Sequence, residues 1–269
     1  MALDLGVFCK STLDGDVVDH CISSIFGLGQ NADPSYLDWL VKAWGWTLAV
    51  AGLSLTIALL LGALMGTLRT LPEGSVLNKW LVRFSTSWVE LFRNIPILVQ
   101  VFLWYHVIPA FVLPLKALPS YWLVSIALGF FTSARIAEQV RAGIQALPSG
   151  QRMAATALGL TTFQSYRYVI LPMALRIVIP PLTSESMNLI KNSSVAFAVS
   201  VPELTLFAMQ AQEETSHGVE IYLAVTLLYA SSAFAVNRVM ALIEKRTRIP
   251  GFIAQSSEAG VRTKCLASI

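Results

Sequence analysis

Long uncharged apolar stretches recur along this chain, at lengths that a bilayer demands. No charge interrupts the sequence from Lys42 to Arg69, and the run AVAGLSLTIALLLGALMG fills most of it. A spanning helix needs about 20 mostly apolar residues, so a first span is predicted at 43–68. Its Gly62 and Gly66 form a GxxxG step, which reads as close helix packing. A second span is predicted at 88–114, through NIPILVQVFLWYHVIPAFVLP, and a third at 119–140. A fourth, at 173–200, carries Arg176, Glu185, Lys191 and the pair Pro180-Pro181, and a fifth covers 220–243. The pattern predicts an all-α membrane protein with about five transmembrane helices in a domain over 41–250. A leader, 1–40, precedes it and a tail, 251–269, follows.

Composition supports a membrane setting. Hydrophobic residues make up 55% of the chain and charged residues 13%, about half the charge of a soluble domain. The net charge of +3 is too small to suggest nucleic acid. Orientation follows from where the basic residues sit. Arg69, Lys79 and Arg83 lie between spans one and two. Arg135, Arg141, Arg152, Arg167 and Arg176 lie at the facing ends of spans three and four or between them, and six more bases lie from Arg238, at the end of the fifth, onward. The other two connections hold Lys116 alone and the acids Glu203, Glu213, Glu214 and Glu220. The N-terminus is therefore expected outside and the C-terminus in the cytoplasm. Asp4, Asp14, Asp16 and Asp19 precede any long apolar run, unlike a cleaved signal peptide, so the leader is read as retained. Cys9 and Cys21 would share the oxidising side, either as a disulfide or as two separate thiols; Cys265 would stay reduced. No Cys/His spacing suggests a metal.

The segment 147–172, LPSGQRMAATALGLTTFQSYRYVILP, is too polar to span and too patterned for a linker. Pro148 ends the helix leaving span three. Ser149 can cap a short helix that Gly159 closes in the left-handed conformation. Thr161 and Gln164 have capping-box spacing and open a second helix towards Pro172. Small Ala154, Ala155 and Ala157 permit close approach of another surface. Met153, Leu158, Leu160, Phe163 and Tyr166 supply apolar knobs beside Arg152 and Arg167. Such a hairpin suits a protein partner or the lipid headgroups.

This hairpin resembles the EAA loop of ABC importer permeases: Met153-Ala154-Ala155, then Gly159, then Ile170-Leu171-Pro172, with Met153 where the family carries glutamate. The runs ELFRNIPILVQVFLWY, ARIAEQVRAGIQALPSGQ and PPLTSESMNLIKNSSVA are similar to the polar amino acid branch, most of all to glutamate/aspartate permeases. The resemblance spans roughly Trp39 to Gly251. It implies a MetI-like permease fold in a bacterial inner membrane and a non-catalytic subunit that binds no cofactor. ATP and Mg would sit on two partner ATPase subunits. A second permease, a sister chain or a second copy, would complete the pathway, and an extracytoplasmic binding protein would deliver the amino acid. Met153, Ala154, Ala155, Gly159, Leu160 and Phe163 would couple to the ATPase.

Residue by residue, the spans offer pathway candidates: Lys191, Asn188, Glu185, Ser193, Gln100 and Arg93. Lys191 must face a cavity or a partner; it is read as a substrate-side cation, or as paired with Glu185 or a sister subunit. Arg93 and Glu90 share a helical face and can pair, as an interface anchor or a ligand group. Gln100 can donate to a ligand carboxylate or bond a neighbouring helix. Arg135, Glu138 and Arg141 read as an intrahelical ladder, Arg176 as a snorkelling base, and His106 as part of an aromatic belt. Pro180-Pro181 is expected to break the backbone ladder mid-span and mark the fourth span as pathway lining. A secondary transporter would show internal symmetry, a channel a filter or charge ring, and an enzyme a catalytic constellation. None is evident here, and dependence on ATP separates an importer from all three.

Overall fold

A computed structural model of the chain describes residues 4–13, 17, 35–72 and 74–247. Most of the leader and the whole expected tail lie outside these residues.

Helix α1, Tyr36–Leu68, starts earlier than its apolar run because Ser35 caps it, accepting from the Asp38 backbone N–H at 3.2 Å. Helix α2, Val76–Asn94, is followed by α3, Ile97–Phe102, a π turn at Leu103–Val107 and α4, Ile108–Phe111. The two halves meet at 107°, so the continuous second span expected at 88–114 is instead a bent pair. Pro96 has no N–H to continue the ladder and forces the preceding Ile95 to extended backbone, φ −96° and ψ 130°. Along α2, Leu77, Trp80, Phe84 and Leu91 are exposed on one side, while Ser85, Val89 and Phe92 are buried on the other.

Helix α5, Ser120–Gln145, leads into α6, Ser149–Ala157, and α7, Thr162–Ser165. A π turn at Tyr166–Ile170 joins α7 to α8, Leu171–Asn192, which ends in a 3-10 turn at Ser193–Val199. Helix α8 continues through Pro180 and Pro181, so the ladder interruption expected there does not end the helix. Each proline removes only its own donor to the carbonyl four residues back, and the turns on either side remain helical. Helices α9, Leu204–Thr215, and α10, Gly218–Thr247, complete the fold. Among the described residues four helices are long and apolar enough to cross a membrane, or five with the bent pair as one span.

Three glycines set the α1–α5 contact. A Cβ on Gly62 would lie 2.6 Å from Ile136 Cγ2, one on Gly66 2.6 Å from the Ala137 carbonyl oxygen, and one on Gly129 2.7 Å from Ile57 Cγ2. The GxxxG step thus works as a helix-packing face. On the other side of α5, Gly143 makes room for Val178 of α8.

Helix α9 is held by Glu203, which is fully buried. Its carboxylate accepts from the Thr205 and Leu206 N–H groups at 2.9 and 3.0 Å and from the Tyr229 hydroxyl at 2.6 Å. Burial pushes this carboxyl up from its ordinary value, while the hydrogen bonds pull the other way. The Leu204 N–H donates to Thr47 Oγ1 at 3.1 Å, so α9 is tied to both α1 and α10. The leader joins the same end. The Asp4 N–H donates to Glu220 at 3.2 Å, the Tyr36 N–H donates to the Lys10 carbonyl at 3.2 Å, and Cys9 is disulfide-bonded. Cys21, its expected partner, lies outside the described residues.

Gly66→Leu is expected to destabilise the protein by about 1–3 kcal/mol, because the Ala137 backbone cannot yield. Gly52→Leu, where a Cβ meets nothing within 4 Å, should be near neutral. Thermal unfolding in detergent checks the contrast; equal midpoints would show that the α1–α5 approach is not limiting.

Candidate functional site

Two features stand out on the side of the molecule that carries most of its bases: a short helical hairpin and a charged cleft beside it. In the hairpin, Pro148 occupies the N-cap of α6 and Ser149 is the first helical residue, with no side-chain cap. The expected Ser149 cap is absent because Pro148 itself places the chain in extended backbone, ψ 133°. The C-terminal end is closed by Gly159 at φ +74°. Its N–H donates to the Thr156 carbonyl at 2.9 Å, and the Leu160 N–H donates to that of Ala155 at 3.1 Å, the paired bonds of a Schellman stop. Thr161 and Gln164 then form a complete capping box, at 3.3 and 2.9 Å.

The apolar knobs divide into two sets. Met153, Leu158 and Phe163 are 64, 80 and 73% exposed. Ala154 is exposed and Leu160 half-buried. Ala155 and Tyr166, expected on the same outer face, are buried. Ala155 faces inward on α6, opposite the exposed Met153. The Tyr166 hydroxyl donates to the Thr70 carbonyl, with Thr70 Oγ1 at 3.2 Å. This ties the hairpin to the end of α1. A cleft of about 740 Å³ lies between the end of α5, α6 and Ile170, with Arg152 and Met153 at its wall.

The second cleft, about 590 Å³, is lined by Arg93 of α2, Arg135, Glu138, Gln139 and Arg141 of α5, and Glu185 of α8. Glu138 accepts from Arg69 at 2.6 Å and from Arg141 at 2.9 Å, with Arg93 at 3.9 Å. Three helices therefore converge on one carboxylate. Arg135 leaves the ladder expected on α5 and crosses to Glu185, with Nε to Oε2 at 2.8 Å and Nη2 to Oε1 at 3.0 Å. Gln139 Nε2 donates to the same Oε1 at 3.1 Å.

The structure re-sorts the pathway candidates. Arg93 lies 3.9 Å from Glu138, and no Arg93–Glu90 pair forms; Glu90 is exposed. Glu185 is taken by Arg135, so it is no counter-ion for Lys191, which is exposed and has no ion-pair partner among the described residues. Asn188 is half-buried. Ser193 is fully buried, its hydroxyl donating to the Ile190 carbonyl at 2.7 Å, so it lines nothing. Gln100 is buried and donates to the Phe92 and Ile95 carbonyls at 2.8 and 3.0 Å. It clamps the bend that Pro96 creates. Arg176 sits 4.0 Å from Met173 Sδ, and His106 packs against the Phe102 and Tyr105 rings.

Residues 43–249 match the family of binding-protein-dependent transport system inner membrane components. The chain belongs to that family. It is thus a multi-pass permease subunit of the inner membrane. It is 41% identical to the glutamate/aspartate import permease protein GltJ of Escherichia coli (strain K12) over 81% of this chain and 90% of that one. Among solved structures it is similar to an amino acid ABC transporter crystallised with histidines, at 29% identity and a TM-score of 0.68, covering 78% of this chain and 95% of that one. It also shares its fold, at 22% identity and a TM-score of 0.68, with the inward-facing MetNI methionine ABC transporter, covering 78% and 97% of the two chains. The fold is the MetI-like permease fold.

If Gln100 of this permease is a clamp, Gln100→Glu should destabilise it by about 1–3 kcal/mol, because a carboxylate cannot donate to the two carbonyls. The unfolding midpoint in detergent should fall; an unchanged midpoint with impaired uptake would return Gln100 to the substrate.

Proposed function

We propose that this permease moves acidic amino acids, glutamate and aspartate, inward as part of an ATP-driven importer. Two ATPase subunits bind Mg-ATP and dock on the 147–172 hairpin. A second permease, a sister chain or a second copy, faces α8, and an extracytoplasmic binding protein delivers the substrate. The observation that carries this reading is the hairpin itself. It exposes Met153, Leu158 and Phe163 on a frame closed at every joint by hydrogen bonds.

An exposed apolar edge on a rigid frame suits a protein groove, and its rigidity lets a push on it move whole helices. Transport then alternates between two packings, each favoured by a different set of ligands. The substrate class is supported by the likeness to a glutamate/aspartate permease over nearly its full length. On α8, Ser184, Asn188 and Lys191 fall at helical spacing on one side, the first and last exposed. A charge at this depth is costly against lipid, so this stripe faces the second permease and the water-filled path between the two. The permease performs no chemistry; hydrolysis belongs to the partner subunits.

Gly159 tests the coupling. A Cβ there meets nothing within 4 Å, so a substitution acts only through φ. A left-handed L-residue costs about 1–2 kcal/mol, and asparagine tolerates the conformation best. In proteoliposomes holding the whole complex, Gly159→Val should cut glutamate uptake per ATP hydrolysed roughly tenfold, the equivalent of about 1.4 kcal/mol. Gly159→Asn should restore most of it. Full coupling in Gly159→Val would remove the hairpin from the transmission path, and uptake that persists without ATP would favour a secondary transporter.

A further inference from the structure

We propose that the cleft between α2, α5 and α8 is a carboxylate-exchange site on the permeation path, where Arg135 lets go of Glu185 to hold a carboxylate of the passing amino acid and Gln139 accepts its ammonium. The proposal rests on the acidic substrate class argued above.

Three observations converge on it. The first is an asymmetric ion pair. The Glu185 side chain is 8% exposed, whereas that of Arg135 is 42% exposed and borders the cleft. Two of the five guanidinium N–H donors are spent on Glu185. The remaining edge can take a second carboxylate in the same forked geometry before Arg135 swings away, and the buried Glu185 then keeps Gln139 Nε2 as its donor.

The second is an orphan acceptor. Gln139 Oε1 is buried and has no hydrogen-bond partner among the described residues, while the amide's other end is fixed on Glu185. A buried polar atom left alone costs free energy. Gln139 and Arg135 both hold Glu185 and both line the cleft, so an α-ammonium would arrive near Gln139 with the carboxylate on Arg135. The two groups together fit the zwitterionic end of an amino acid.

The third is charge and size. Three guanidinium groups and two carboxylates line the cleft, an excess of one positive charge. An acidic amino acid at neutral pH carries the matching net negative charge. The cleft volume of about 590 Å³ lies within the usual range of small-molecule sites, roughly 300–1,000 Å³. Glu138 is already saturated by Arg69 and Arg141; Arg93, 3.9 Å from it and well exposed, can turn to the substrate's second carboxylate.

A purely structural brace between α5 and α8 would show the same ion pair, so the test must separate the two. The complete complex, with its binding protein, is reconstituted in proteoliposomes, and glutamate import, ATP hydrolysis and the unfolding midpoint are measured together. Gln139→Leu and Arg135→Lys should each lower glutamate imported per ATP at least tenfold in complexes that still assemble and hydrolyse ATP, beyond the modest fall in midpoint that losing one hydrogen bond to Glu185 brings. The charge swap of Arg135→Glu with Glu185→Arg should keep the midpoint and still lose import, because the exposed member of the pair is then an anion. Import restored by the swap would make the pair a brace and overturn the proposal, as would normal glutamate per ATP in both single variants. A wild-type complex that imports a neutral amino acid and no glutamate or aspartate would instead overturn the substrate class, and the exchange site with it.

Discussion

Side chains that bear charge in this protein reach across gaps set by helix backbones, and the α1–α5 contact sets those gaps. With Gly62, Gly66 and Gly129 at the seam, α1 and α5 approach so closely that a Cβ added at any of the three would strike the facing helix. At that separation Arg69, just past the end of α1, meets Glu138 at 2.6 Å. Gly143 repeats the device against α8, and one turn to two turns away Arg135 and Gln139 meet Glu185. Widening either contact would lengthen these pairs, and the cost would fall most on Glu185, the member buried to 8% exposure.

The same helices connect the hairpin to the cleft without a loose joint. From Thr162 to Val199 the backbone is helical throughout, changing only its pitch at the π turn and at the final 3-10 turn. Tyr166 fastens this element to α1 at Thr70, and Glu185 fastens it to α5. A displacement at Phe163 therefore reaches Glu185 as a rigid movement of α8, because packed interiors shift between discrete arrangements rather than deform. Gly159 separates α6 from this element and is the one described glycine with positive φ. The hairpin is thus two rigid pieces with one defined corner.

Local signals carried much of this in the sequence. The end of α1 at Arg69, the left-handed Gly159, the Thr161–Gln164 capping box and the glycine packing step are all set by residues within one or two turns of each other. What was not legible falls into two kinds. Partners distant in sequence, such as Arg69 with Glu138 or Arg135 with Glu185, have no local signature. Arg135 has a plausible intrahelical partner at Glu138, and only the packing of α8 decides otherwise. The second kind is hidden by hydropathy itself. NIPILVQVF is apolar enough to pass as mid-span, so the bend at Pro96 and the clamping role of Gln100 vanish into a run that averages as membrane helix. The proline was the available signal, since an X-Pro step biases the preceding residue to extended backbone. Buried Glu203 was likewise concealed, counted as one acid among several in the connection between spans four and five, when it is the cap and anchor of α9.

An ion pair is an expensive way to join two helices. Apolar residues of the same volume often serve as well or better, and α1 and α5 are joined for most of their length by apolar contact. The charges are concentrated instead where α2, α5 and α8 surround a cleft, and they do not cancel there. A brace would be expected to bury both members of its pair equally and satisfy every neighbouring polar atom. Here one member is exposed, the neighbouring amide has an acceptor without a donor, and the surplus is positive. Each departure from a good brace is a property that a passing anion with an ammonium group would need.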